Sequence, residues 1–283
     1  MRIIPSATPI SSSDRAFNYG DGVFTTLLVT EHQVALLSYH LSRLKHDAAA
    51  IKLNIDMQAL GVAITEQVDA IKNALGENAS SKYVLKVHVS GGQAGRGYAR
   101  SEDSEALVRF SQHPFPNHYE SLANEGVSVI CAQTRLAIQP LLAGVKHMNR
   151  LEQVLVKHEV DEAGADDAIV CDTQDNVIEA SAGNVFFYLN KQWYTPSLKG
   201  SGVNGVVRQC LIDSLLNDNW ALHVGEYDLS YLRKASALVI TNALMGVMPV
   251  QRMRMPDFSF VNFDIRSDEV VAFQKRFERV LKR

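Results

Sequence analysis

Gly144-Val-Lys146-His-Met-Asn-Arg-Leu-Glu-Gln153 is the stretch on which the reading of this chain turns. Lys146 stands two residues past a glycine. Further on a lone acid, Glu179, closes a strand-like run just before Ala-Ser-Ala-Gly-Asn184-Val-Phe-Phe187. Singly, each has an ordinary explanation: a lysine after a glycine is usually a solvated helix start, and a strand-end glutamate is usually wet. As a pair they suit pyridoxal 5'-phosphate. The amine can hold that cofactor's aldehyde as a Schiff base, and a carboxylate against the pyridine nitrogen keeps it protonated, so that the ring accepts electrons.

Around this stretch the chain runs to 283 residues, 46% of them hydrophobic, enough for one large domain or two modest ones. A net charge of −3 without long runs of like charge gives no nucleic-acid footprint or membrane-surface patch, so small-molecule partners are expected. Cys131, Cys171 and Cys210 are widely spaced in apolar surroundings, which fits reduced thiols better than a disulfide framework. No Cys/His cluster has metal-ligand spacing, and no metal is expected. Met1-Arg-Ile-Ile-Pro5 turns polar without an apolar leader core. The most apolar later stretch, Ala237 to Val250, is too short to span a bilayer and contains Thr241 and Asn242, so the expected location is cytoplasmic.

Strands and helices alternate unevenly, without an internal repeat. Val23 to Val29 and Gln33 to Leu37 read as short strands, Tyr39 to Leu53 as a helix and Met57 to about Leu75 as another. Lys82 to Ser90 alternates as a strand, a glycine-rich loop runs to about Arg100, and Ala106 to Ser111 returns as a strand. His113-Pro-Phe-Pro116 breaks regular structure, because prolines lack a donor and restrict their predecessors. This ends a small N-terminal α/β domain at 115 and places a linker at 116–124. The larger C-terminal domain, 125–283, would carry Lys146. Its expected strands are Val127 to Thr134, Asp167 to Cys171, Val177 to Glu179, Val185 to Leu189, Trp193 to Thr195 and Ala237 to Thr241. Helices are expected at Asn149 to Ala163, at Val206 to Leu216, and after a Ser267 cap. The class is α+β with a mixed sheet.

A phosphate needs backbone amides and usually a guanidinium. Gly202-Val-Asn-Gly205-Val-Val-Arg208 leads into a helix whose first amides, near Val206 and Val207, would point at an anion with the dipole behind them. Asn242 at a strand end and Arg43 in His40-Leu-Ser-Arg43-Leu are further donors. A rival reading comes from Gly200-Ser-Gly202-Val-Asn-Gly205, which fits the G-x-G-x-x-G dinucleotide fingerprint of a nicotinamide-dependent oxidoreductase, with Glu226 after the next strand. Against it, Pro196-Ser-Leu-Lys199 separates the preceding strand from the first glycine, which the fingerprint places at the strand's end.

Taken together, Asp14-Arg15 with Tyr19-Gly-Asp-Gly-Val-Phe24, His40-Leu-Ser-Arg43-Leu44, Lys146, Glu179 with Asn184, Gly205-Val-Val-Arg208 and Thr241-Asn242 resemble the fold-type-IV pyridoxal-phosphate family. That family includes branched-chain aminotransferases, D-amino-acid aminotransferases and 4-amino-4-deoxychorismate lyases, and the resemblance runs nearly end to end. It implies a two-domain enzyme whose larger domain is a barrel-like mixed sheet with helices, acting as a homodimer with shared active sites. It also implies Lys146 as the catalytic Schiff-base lysine, Glu179 as the ring-nitrogen partner, and Arg43, Gly205, Val206, Val207 and Asn242 around the phosphate. Gly95-Arg-Gly-Tyr98, the Lys146 to Gln153 stretch and Asn242 to Val250 are similar to the lyase branch. This implies conversion of 4-amino-4-deoxychorismate to 4-aminobenzoate and pyruvate, a step of folate synthesis, with an aminotransferase as the alternative. Thr25, Asn149 and, on a flexible glycine loop, Arg96 and Tyr98 are the candidates for substrate binding. Where D-amino-acid aminotransferases carry Tyr-Glu after Asp-Gly-Val, this chain has Phe24-Thr25. Val207 and Asn242 stand where aminotransferases usually place a hydroxyl.

Overall fold

The computed structural model describes residues 1–75, 82–93, 95–218 and 220–281. The chain divides into two compact units, Met1–Phe115 with Val145–Asn149, and Pro116–Gly144 with Arg150–Arg283.

The first unit comprises β1 (Arg2–Ile4), α1 (Arg15–Tyr19), β2 (Gly22–Thr30), β3 (Gln33–Val34), α2 (Leu37–Ala50), α3 (Met57–Leu75), β4 (Lys82–Ser90) and β5 (Leu107–Pro114). Its sheet runs β1-β5-β4-β2-β3. Strands β2 and β4 pair antiparallel along their whole length, from Gly22 opposite Ser90 to Thr30 opposite Lys82. Because side chains alternate along a strand, Val23, Leu27 and Val29 share a face with Val89, Leu85 and Tyr83 across the ladder. Leu44 and Ala48 of α2 and Leu60, Ile64 and Val68 of α3 belong to the same buried cluster, at the helical spacing that puts them on one side of each helix. Thr25 stands in this apolar row and is completely buried. The strand expected over Gln33 to Leu37 stops at Val34, because Leu36 takes a left-handed conformation (φ 54°) and α2 begins at Leu37.

Val145–Asn149 closes the free edge of β2. Val23 bridges to His147, the Phe24 amide donates to the Lys146 carbonyl at 3.1 Å, and the Met148 amide donates to the Gly22 carbonyl at 3.0 Å. The sequence expectation put Lys146 in the C-terminal domain; in the structure its segment groups with the first unit, because these ladder bonds are with β2.

The second unit comprises α4 (His118–Glu125), β6 (Val127–Cys131), α5 (Leu151–Glu162), β7 (Asp167–Cys171), β8 (Val177–Ala180), β9 (Asn184–Leu189), β10 (Gln192–Pro196), α6 (Val206–Asn217), β11 (Leu222–Gly225), α7 (Leu229–Lys234), β12 (Ala237–Asn242), β13 (Gly246–Arg254), β14 (Phe260–Asn262) and α8 (Asp268–Leu281). The sheet order is β11-β10-β9-β12-β13-β6-β7-β8, with β14 on β13. It is mixed: β10 with β11, β13 with β6 and β6 with β7 run parallel, the other pairs antiparallel. Both faces are covered. On β9, Phe186 packs on Phe273 of α8 while Phe187, on the other face, meets Tyr194 and Tyr227. The expected linker at 116–124 is largely helical, since α4 starts two residues after Pro116. Ser267 accepts the Val270 amide, with Asp268 and Glu269 in the first turn of α8. Among the described residues no helix is long and apolar enough to cross a membrane.

Candidate active site

In the first unit the site begins with the peptide of Lys146. Its carbonyl accepts from Phe24, and its amide donates to Asp47 Oδ2 at 3.1 Å. The side chain lies over the Phe24 ring, with Nζ 4.6 Å from the centroid, within range of a cation–π attraction. Arg43 lies one helical turn before Asp47, with Nε 3.7 Å from Oδ2, and its Nη2 donates to Thr25 Oγ1 at 2.5 Å. Thr25 Oγ1 is 2.6 Å from His40 Nδ1. The threonine oxygen accepts the guanidinium proton and, with one proton and two lone pairs, can either donate to Nδ1 or accept from it, according to the imidazole tautomer. Burial, with the charges of Arg43 and Lys146 nearby, holds the His40 pKa well below 6.5, so the ring is neutral. Burial also brings Arg43 down to about 10, partly opposed by Asp47. The structure thus gathers Lys146, Arg43 and Thr25 and adds two residues to which the sequence assigns no role, Asp47 and, as the partner of Thr25, His40. The Thr25 hydroxyl is committed to this chain of bonds.

The remaining candidates of this unit lie apart from that cluster. Asn149 is exposed, and its Nδ2 donates to the Gly20 carbonyl at 3.2 Å, where it closes the left-handed cap of α1. Arg96 and Tyr98 are exposed on the glycine loop, Tyr98 edge-on to Tyr19. The described part of that loop is tied down. The buried Arg15 guanidinium donates to the carbonyls of Tyr98 (2.7 Å) and Ala99 (2.9 Å), while Arg15 and Arg100 both bind Asp21. Burial alone would raise the Asp21 pKa, but its hydrogen bonds from Arg100 and Arg15 and their charges lower it below 3.8.

The second unit has its own cluster of candidate residues, organised by the loop 200–205. Glu179, on β8 and 5% exposed, accepts the Val203 amide on Oε2 at 2.7 Å and the Gln153 side chain on Oε1 at 3.4 Å. Asn184 holds the same loop from the start of β9, donating to the Val203 carbonyl at 2.8 Å and accepting the Gly205 amide at 3.1 Å. A Cβ on Gly205 would sit 2.1 Å from Asn184 Oδ1, so only glycine lets the asparagine approach. Gly205 then caps α6 without any side-chain acceptor, and the Val206 and Val207 amides in the first turn have no acceptor within the helix. Asn242, expected as a phosphate donor, also holds a turn. Its Oδ1 accepts the amides of Leu244 and Met245, and its Nδ2 donates to the Ala182 carbonyl, which turns the chain between β12 and β13.

This loop also decides the rival dinucleotide reading. β10, α6 and β11 do form a parallel strand-helix-strand unit around the glycines. However, the Val203 amide is engaged by Glu179 and the Gly205 amide by Asn184, so the loop does not offer them to a pyrophosphate.

The family model for amino-transferase class IV matches residues 22–253, from the start of β2 to near the end of β13. An aminodeoxychorismate lyase of Vibrio harveyi is 34% identical over 250 residues, 88% of this chain and 89% of that protein. A putative branched-chain-amino-acid aminotransferase of Methanocaldococcus jannaschii is 25% identical over 85% of this chain and 81% of its own length. The crystal structure of 4-amino-4-deoxychorismate lyase from Pseudomonas aeruginosa superposes with a TM-score of 0.85 at 29% identity, covering 98% of this chain and 95% of that one. The chain belongs to the class IV aminotransferase family. Its fold is that of the fold-type-IV enzymes, and its cofactor is pyridoxal 5'-phosphate. Each unit offers groups that suit the cofactor: the first, a lysine whose peptide is fixed on both sides; the second, a buried carboxylate held by an amide and a helix start with no side-chain cap.

Proposed function

We propose that this chain is an aminodeoxychorismate lyase, converting 4-amino-4-deoxychorismate to 4-aminobenzoate and pyruvate in folate synthesis. The observation that carries this reading is the 34% identity to a lyase along 88% of the chain. The substrate's atoms divide completely between the two products, so the reaction needs no oxidant, reductant or water. When bound, the cofactor supplies a ring that takes up the electrons released as the substrate's bonds rearrange.

Everything else falls to the chain's own residues. Lys146 carries the cofactor at rest. During turnover its amine takes the proton from the amine-bearing carbon and returns one to the departing pyruvate unit. Glu179 keeps the ring nitrogen protonated, and the Val203 amide and Gln153 hold its carboxylate in place for this. Arg43 and the Val206 and Val207 amides hold the phosphate, with Gly205 permitting the start of α6 and Asn242 shaping the turn after β12. Arg96 and Tyr98, exposed on a loop that Arg15 anchors, would supply the donors for the substrate's carboxylates. The free thiols of Cys131, Cys171 and Cys210 support a cytoplasmic location. The exposed apolar groups Phe17, Tyr19 and Tyr98 in one unit and Leu151, Val154 and Leu155 in the other support a homodimer.

The test is to record the visible spectrum of the purified protein, then add 4-amino-4-deoxychorismate and follow both products. A coloured protein releasing 4-aminobenzoate and pyruvate in equal amounts is expected. Amino-group exchange between amino and keto acids without that release would replace the lyase by an aminotransferase.

A further inference from the structure

Asp47 lies on α2, wholly enclosed in the first unit. A carboxylate removed from water is costly unless charges and donors compensate it. Here the compensation comes from two groups that the proposed function assigns to the cofactor. Oδ2 accepts the Lys146 amide at 3.1 Å and lies 3.7 Å from Arg43 Nε. Among the described residues Oδ1 has no hydrogen-bond partner. A carboxylate serving only the local fold would be expected to satisfy both oxygens, since an unmet buried acceptor is destabilising. Burial raises its pKa, and Arg43 and the Lys146 amide bring it part of the way back.

The geometry has two consequences. The Lys146 peptide is gripped from both sides, by Phe24 through its carbonyl and by Asp47 through its amide, so the side chain leaves a fixed base although the surrounding stretch lies outside the helices and strands. The Arg43 guanidinium is held between Thr25 and Asp47, with a negative charge beside it that offsets part of its pull on any other anion.

We propose that Asp47 is a positioning residue of the cofactor site. Through one oxygen it fixes the peptide that presents the Lys146 amine, and through its charge it sets how strongly Arg43 attracts the cofactor phosphate. The second half rests on the phosphate role proposed above for Arg43.

Asp47→Asn and Asp47→Ala separate the two effects. Asparagine keeps an oxygen for the Lys146 amide but removes the charge; alanine removes both. Two readouts are needed: the ratio of affinities for pyridoxal 5'-phosphate and phosphate-free pyridoxal, and kcat of the loaded enzyme. In Asp47→Asn the preference for the phosphorylated cofactor is expected to rise about fivefold or more, as the guanidinium loses its counter-charge. kcat should stay within about threefold of wild type, because the backbone hydrogen bond is retained. In Asp47→Ala kcat is expected to fall about tenfold or more.

A wild-type cofactor preference in Asp47→Asn, or a wild-type kcat in Asp47→Ala, overturns the assignment. If the alanine variant fails to fold, the preference measured on the asparagine variant still decides. Arg43→Met, measured in parallel, locates a failure. An unchanged preference there removes Arg43 from the phosphate and takes this proposal with it, whereas a changed preference there with none in Asp47→Asn removes Asp47 alone.

Discussion

Lys146 owes its placement to its backbone, which two separate groups hold, and this defines what its loss should do. Lys146→Ala leaves both peptide hydrogen bonds and the groups of α6 intact. Turnover should fall by about two to four orders of magnitude or more, the range of a lost general acid-base group, while phosphate-bearing cofactor still binds, as measured by equilibrium dialysis. His40 offers a second test at this scale. Its folded pKa lies well below 6.5, so between the two values the unfolded chain binds more protons than the folded one, and stability is lost as pH falls below about 6.5. Urea unfolding followed from about pH 7.5 down to 5.5 should show a loss of about 1.4 kcal/mol in all from this group, nearly all of it below about pH 6.5, and His40→Gln should remove that component. An unchanged slope would count against the buried neutral ring. Lys146 and Glu179 stand out in the sequence because the cofactor's chemistry asks for such a pair and because the stretches around them resemble the family together. Asp47 was not. In Arg43-Leu-Lys-His-Asp47 it looks like one more solvated helix residue, and its burial depends on a segment 99 residues away in the chain.

The loop from Gly200 to Gly205 does at the scale of one element what those residues do singly: it brings a carboxylate, an asparagine and a helix start into one arrangement. Gly205→Ala would force Asn184 Oδ1 away from a contact of 2.1 Å. The expected result is a helix start displaced from its bond to Asn184 and weaker binding of the phosphorylated cofactor relative to pyridoxal, read by competition, with the global unfolding midpoint changing less. Equal weakening of both would show that the substitution acts on the whole unit. Elements with a clean period were visible beforehand. β4 matches the expected Lys82–Ser90, α3 the expected Met57–Leu75, and the β7–β8 hairpin turns where Asp175 adopts φ 62°. β13 went unread because Pro249 sits within it and Arg252 and Arg254 interrupt its apolar pattern, although β12 and β6 flank it. α1 was missed because five residues hold too little periodicity. Its signal was the Asp14 side chain, which accepts the Ala16 amide at 2.9 Å.

For the molecule as a whole, the informative fact is that the first unit is not continuous in sequence. A fragment ending at Phe115 lacks Val145–Asn149 and leaves Gly22 to Phe24 as a bare strand edge, a template for pairing with other chains. Such a fragment should be less stable in urea and more prone to aggregate than one in which residues 145–149 are joined back through a flexible linker. Equal midpoints and equal solubility would show that the added segment contributes little. No composition or period in the sequence announced this arrangement, because a five-residue edge segment carries no pattern of its own. It bears on how the protein is made. Domains tend to fold in the order in which they leave the ribosome, yet here translation must run past the first strand of the second unit before the first can be finished. The last piece to arrive is the one bearing Lys146, the lysine proposed to hold the cofactor. A nascent chain therefore becomes able to capture the cofactor only after much of its framework has been synthesised, so that maturation and loading are coupled by the order of translation itself.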